Sequence, residues 1–238
     1  RKTEGGIAID LEDGSTLTGT HLLVAAGRRP VTDGLNLDAA GIKTHKRGHV
    51  ETDKTLRTSN KKVWAVGDVS GRGGLTHAAG YHAGIIIKNF YFVPFFNASA
   101  ETNAMPAAIY AQPELANIGL TEAQAREKHN DVRTVHWEMD ENDRAIAEGK
   151  TTGLIKVMIV KGRPVGASIA GAMAGELIAM WAMAIANKMK MSAVAATVLP
   201  YPTVSEINKR AAGAYFTPRL FESNTVKRVV GFVQRWLP

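Results

Sequence analysis

Three runs of β-forming residues constrain this chain more than any other feature: Val132 to Met139, Leu154 to Val160 and Val165 to Ala170. Each has strand length, and Lys161-Gly162 supplies a turn between the last two. A connection that short permits only antiparallel pairing, because a parallel return needs a crossover of roughly a dozen residues or more. A helical pattern follows from Glu176 to Lys190. Its Leu177, Met180, Trp181, Ala184, Ile185 and Lys188 recur near the helical period, so most of one face is apolar. The pattern predicts an antiparallel sheet with helices against it, an α+β arrangement.

Shorter signals surround this core. Ala107 to Tyr110 and Leu115 to Leu120 are strand-like. Thr121 to His129 reads as a helix, with Thr121 as cap and Gln124 three residues on. Ser205 to Tyr215 is a further short helix. The small, polar stretch Asn97 to Asn103 is the expected domain boundary. Before it, Ile7 to Leu11 reads as a strand, Asp13-Gly14 as a turn and His21 to Ala26 as a second strand, apolar enough to be buried in a parallel sheet. Residues 31 to 60 are loop-rich, punctuated by Pro30, Gly34, Gly41 and Gly48. Val63 to Val66 is expected as a short buried strand leading into Gly67-Asp68, followed by a glycine-rich loop, Gly71 to Gly74. His77 to Phe92 reads as a helix of small and apolar residues able to sit close against a sheet or a cofactor.

The 238 residues carry no cysteine, so neither a disulfide nor a thiolate metal site can form, and a reducing cytoplasm is the expected setting. The formal net charge is +7, but Lys and Arg are dispersed, as in Lys61-Lys62 and Lys227-Arg228. A nucleic-acid surface needs them gathered, so a solvated basic surface is the expectation. His45 and His49, four apart, flank Gly48 in a loop. His77 and His82, five apart, are a poor helical pair. Neither pair has a carboxylate cluster beside it, and no metal site is expected. Asp140, Glu141 and Asp143 read as a solvated acidic loop. The N-terminus, Arg1 to Gly6, is polar and lacks an apolar leader segment.

Five short motifs then agree in order. They are Leu23-Val24-Ala25-Ala26-Gly27-Arg28-Arg29-Pro30, Val63-Trp64-Ala65-Val66-Gly67-Asp68-Val69, the stretch Ala107 to Glu122 with Gln112-Pro113-Glu114 and Gly119-Leu120-Thr121-Glu122, the stretch Gly153 to Gly175, and Pro202 to Glu206. Together they resemble the flavin-dependent pyridine nucleotide-disulfide oxidoreductases, the family of glutathione reductase, dihydrolipoamide dehydrogenase and mercuric reductase. The resemblance covers nearly the whole chain. It implies the end of an NAD(P)-binding domain over residues 1–30, the C-terminal part of an FAD-binding α/β domain over residues 31–103, and a dimerisation domain with a C-terminal helix over residues 104–238. It also implies a homodimer that passes electrons from NAD(P)H through FAD to a disulfide or another small-molecule acceptor.

The departures from that pattern are as informative. There is no Gly-x-Gly-x-x-Gly fingerprint and no redox cysteine pair, so the chain reads as the C-terminal half of such an enzyme, inactive alone. The alternative is a non-catalytic dimerisation module with a degenerate flavin segment. In the family, an Asp at position 68 accepts a hydrogen bond from the flavin ribityl chain, with Gly67, Val69 and the helix start near His77 and Ala78 as neighbours. Without the family, Asp68 reads as a turn cap and His77 as a helix-start residue. Most members have a His before the Pro of the final motif and a Glu that orients it. Here the Glu is Glu206, and the His position holds Tyr201. A Tyr, with an ordinary pKa near 10, is mainly a donor at neutral pH, whereas a His suits proton shuttling. Tyr201 can stabilise an anion, act as a base if its pKa is lowered, or simply pack at an interface. Packing or ligand positioning is favoured.

Beyond these motifs, Val226, Val229, Val230, Val233 and Trp236-Leu237 share one helical face, with Lys227, Arg228, Gln234 and Arg235 mainly on the other. Such a helix either lies on a membrane surface or docks on protein; docking is the expectation, and membrane contact is not.

Overall fold

The computed structural model describes residues 1–92 and 97–236 and divides into two compact units, Arg1–Asn97 and Ala98–Pro238. In the first unit, β1 (Lys2–Thr3), β2 (Gly6–Asp10) and β3 (Thr16–Gly19) form an antiparallel meander. Asp13 makes its turn: the backbone N–H and the hydroxyl of Ser15 both donate to Asp13 Oδ1, at 2.9 and 2.6 Å. The run His21 to Ala26 is not the buried strand expected from its composition. It has no regular structure, and Leu23 and Val24 are 88% and 75% exposed. An apolar strand persists only when ladders flank it and layers cover both faces. Among the described residues none pairs with it.

The remainder of this unit is mostly irregular. Ile42, Val50 and Ala65 make a small core with Leu37, Val63 and Val69. Val63 to Val66 is likewise not a strand; it holds one isolated bridge, Arg57 to Trp64, beside the Arg57 guanidinium stacked over the Trp64 ring. Helix α1 (Thr76–Tyr91) does form, burying Ala78, His82 and Ile85, spaced four and three apart along one face.

In the second unit, β4 (Ala107–Ile109), β5 (Glu114–Gly119), β6 (Val132–Glu138), β7 (Leu154–Val160) and β8 (Arg163–Gly171) build one antiparallel sheet in the order β4-β5-β8-β7-β6. Lys161 and Gly162 form the two-residue hairpin turn, both with positive φ (49° and 74°), and Val160 pairs with Arg163 across it. That conformation matches the twist of the flanking strands. The two-residue period of β7 sorts its side chains between two layers. Ile155, Val157 and Ile159 join Ala116, Ile118, Ala167 and Ile169 on the main core face, while Met158 points the other way, to Leu120 and Ala125.

Helix α2 (Glu122–Lys128) covers that second face, closed by the Thr121–Gln124 capping box. Its Glu122 pairs with Arg126 (2.7 Å) and with Lys156, which hold the Glu122 carboxyl below its ordinary range, Lys156 first. The short helix α3 (Asp143–Ala147) is capped by Asn142. The main face is covered by α4 (Ala174–Ala186), α5 (Met191–Ala195) and α6 (Glu206–Ala214). Helix α4 stops earlier than the sequence suggested, because Lys188 turns to positive φ (51°). Its Ala174, Leu177, Ile178, Trp181 and Ala184 are buried. Between α4 and α6, the Trp181 indole N–H donates to Asn208 Oδ1 (2.7 Å), and Asn208 Nδ2 donates to the Leu177 carbonyl (3.2 Å).

The chain then makes one π-helical turn (Pro218–Glu222) and enters α7 (Asn224–Trp236), no residue of which is buried. Leu237 lies outside the described residues. Among those described, no helix is long and apolar enough to cross a membrane.

Candidate functional site

Two places carry the candidate residues, one in each unit. In the first, Gly67 to Ser70 forms a 3-10 turn in front of α1. Gly67 has φ +70°, and a Cβ there would stand 3.1 Å from the Ala79 Cβ, so only glycine lets the turn approach the helix this closely. The Gly67 N–H donates to the Nδ1 of His82, 3.3 Å away and buried, and the Ser70 hydroxyl donates to the Gly67 carbonyl (2.7 Å). Burial, and then the Arg72 charge, push the His82 pKa below its ordinary value, which favours the neutral ring this bond requires.

The turn leaves Asp68 half-exposed. Its carboxylate does not cap the turn; its Oδ2 accepts from the Arg28 guanidinium, which also donates to the Gly74 carbonyl (3.2 Å). Arg28, Asp68, Val69, His49, Gly71 and Gly74 border a cavity of about 360 Å³. Ala78 is fully buried and His77 exposed in the first turn of α1, whose N-terminus lacks a side-chain cap. Uncapped helix N–H groups and their dipole favour an anion. A carboxylate has about four acceptor sites, so the Arg28 contacts leave Asp68 able to take a further hydroxyl donor. The close glycine approach, the carboxylate and the helix start together suit a ligand that brings hydroxyl donors and negative charge. Among the described residues no group of three or more His, Asp or Glu side chains is placed to hold a metal ion.

The second place is the loop before α6. Tyr201 is 68% exposed, so it does not pack within this chain. The Asp143 carboxylate, which the sequence read as part of a solvated acidic loop, stands beside its phenol and favours the protonated form. Asp143 first, then some desolvation and the Glu206 charge, raise the Tyr201 pKa; the Arg210 charge opposes them. The pairing is held by Asn142. Its Oδ1 accepts from the Ala145 N–H (2.9 Å), and its Nδ2 donates to the Thr203 carbonyl (3.2 Å), tying the α3 cap to the Tyr201 loop. The Thr203 hydroxyl donates to the Pro200 carbonyl (2.8 Å), and Val204 anchors the loop in the core.

Glu206 opens α6, where the helix dipole favours a carboxylate by about 0.3–1 kcal/mol. It borders a cavity of about 440 Å³ with Trp137, Lys209 and Arg210. Sequence reasoning missed Arg28, Asp143 and Asn142. The available signals were an Arg inside the quoted glycine motif and an Asn placed to cap a short helix.

Residues 105–212 match the model of the pyridine nucleotide-disulphide oxidoreductase dimerisation domain, and residues 1–83 match that of the pyridine nucleotide-disulphide oxidoreductases. The chain belongs to this family. It is 36% identical over 198 residues to dihydrolipoyl dehydrogenase 3 of Haloarcula marismortui, covering 82% of this chain and 41% of that protein. It is 34% identical over 194 residues to a mercuric reductase of Staphylococcus aureus, covering 81% and 35%. The solved HOCl-induced flavoprotein disulfide reductase RclA of Escherichia coli superposes with a TM-score of 0.80 at 27% identity, over 89% of this chain and 48% of that one. These relatives are oxidoreductases. The chain spans less than half the length of each, and the expected mixture of helices with antiparallel sheet is the fold it shares with the solved Escherichia coli protein.

Proposed function

We propose that this chain carries the flavin-facing and dimer-forming part of a homodimeric, FAD-dependent NAD(P)H oxidoreductase. Residues 1–30 end its NAD(P)-binding domain, residues 31–103 belong to its FAD-binding domain, and residues 104–238 form its dimerisation domain. Asp68, Val69 and His77 meet the flavin, and the buried Gly67 and Ala78 shape the turn and the helix start behind them. Asp68 accepts from the ribityl chain, and the α1 N-terminus faces negative charge. FAD supplies the capacity to take a hydride and pass electrons on. The residues of this chain bind it, orient it and, at Tyr201, place a proton donor in the family's acid/base position.

The Asp143 carboxylate beside Tyr201, which raises the pKa of its phenol, carries this reading of the site. A phenol whose pKa is raised above about 10 stays protonated at neutral pH, so Tyr201 donates a hydrogen bond and does not take a proton from a thiol. Glu206 supports it through its charge and through its place at the start of α6. The acceptor is therefore one whose reduction needs stabilisation of negative charge more than proton removal from a thiol. The test compares the protein with a Tyr201→His variant, at full natural length, on a disulfide and on a non-thiol acceptor. The disulfide rate of the variant is expected to rise by about 100-fold or more, the usual scale of a general acid–base. Equal disulfide rates in the two proteins contradict the reading.

A second reading rests on the Arg28–Asp68 ion pair. If that pair keeps the carboxylate, the chain is a dimerisation module without flavin. No flavin in the protein, with flavin gained by an Arg28→Ala variant, favours the module. Flavin bound by the protein with Arg28 in place favours the enzyme.

A further inference from the structure

Helix α7 separates its side chains more cleanly than any core helix of the chain. At about 100° per residue, Phe232, Trp236, Val229, Val233, Val226 and Val230 fall within an arc of roughly 160°. Lys227, Arg228 and Arg235 lie on the opposite arc with Asn224, Gln234 and Gly231, and the helix has no acidic residue. A helix that covers a core buries its apolar face. This one does not: Val229, Phe232 and Trp236 are 57%, 64% and 66% exposed, and none of its residues is buried by the described part of the chain. Leu220 and Phe221, in the π-turn just before it, are also exposed. The helix follows residue 212, where the match to the dimerisation domain ends.

We propose that α7 is an interfacial anchor that lays this face into an anionic lipid surface. Charge selects the occupant. The apolar arc is bordered by three cations and no anion, on a chain whose net charge is +7. A second copy would bring the same cations against these. An anionic bilayer offers acyl depth to the valines and phosphate to the Lys and Arg at once, and Trp and Phe partition at that boundary. Thirteen residues make about 20 Å of helix, too short to span a hydrocarbon core of roughly 30 Å but sufficient to lie along its surface. The sequence alone favoured docking on protein. The uncovered face and its cationic border favour lipid.

The test is vesicle flotation of the purified whole protein, on phosphatidylcholine alone and on equimolar phosphatidylcholine and phosphatidylglycerol. The bound fraction on the anionic vesicles is expected to exceed that on the neutral ones by about tenfold. A Val229→Gln, Val233→Gln double variant keeps every charge and is expected to lose that binding by about tenfold, because the apolar depth is gone. Neither residue is buried, so the variant keeps the wild-type melting profile. Equal flotation of variant and wild type would mean simple adhesion of a basic protein and would overturn the proposal, as would no flotation of the wild type. Sedimentation equilibrium without lipid separates the remaining case. An oligomer that the double variant dissociates would assign the face to a second copy and would also overturn the proposal.

Discussion

The Asp143 carboxylate stands beside the Tyr201 phenol and raises its pKa, and this pairing decides what Tyr201 can do. A carboxylate acceptor favours the protonated phenol over the phenolate. An Asp143→Asn substitution removes that charge and is expected to lower the Tyr201 pKa toward the ordinary value near 10. Ultraviolet difference titration against a Tyr201→Phe blank reads the shift. An unchanged midpoint would show that the pairing does not govern the phenol.

The Trp181 indole and the Asn208 amide form the polar tie inside the second core. Asn208→Leu leaves the Trp181 N–H and the Leu177 carbonyl buried without these partners. At about 1–3 kcal/mol per unsatisfied group, the variant is expected to lose roughly 2–6 kcal/mol in urea unfolding. A cost below about 0.5 kcal/mol, the scale of an ordinary surface change, would mean that water replaces the tie.

His82 predicts a pH dependence in the first unit. Its pKa is lowered in the folded protein, first by burial and then by the Arg72 charge, and its Nδ1 must be unprotonated to accept from Gly67. The unfolded state therefore binds a proton at higher pH than the folded state does. Stability from this group is complete above the ordinary value of about 6.5 and declines as pH falls below it, through the depressed folded value. Thermal melts across that window should show a drop that His82→Gln removes.

Two glycines are expected to reject alanine for different reasons. At Gly67, the positive φ costs about 1–2 kcal/mol, and the new methyl group presses on Ala79, so flavin retention should fall together with stability. At Gly166, a Cβ would stand 1.9 Å from the Leu120 carbonyl oxygen. That contact forces apart the end of the β5–β8 pairing, and Gly166→Ala should shift the urea midpoint of the second unit with little effect on flavin.

What the sequence revealed was local. The Thr121–Gln124 capping box, the Lys161-Gly162 turn and the helical period from Leu177 to Ala184 each depend on residues a few positions apart, and each appears in the structure. What it concealed depended on distant partners. His21 to Ala26 has the composition of a buried strand, yet burial requires neighbours that its own residues do not specify. Val63 to Val66 has one bridge and no ladder for the same reason. Arg28 reaches Asp68 across 40 positions, and Asn142 reaches Thr203 across 61. No periodicity encodes such pairs. The α7 face was legible as a pattern, but only the fold shows that the described part of the chain leaves it uncovered.

The most direct measurement of the central claim is the visible absorption spectrum of the protein at its full natural length, before and during anaerobic addition of NADH or NADPH. The account predicts a bound flavin whose absorbance bleaches on reduction. A protein that carries no flavin, and takes none up from added FAD, would contradict it.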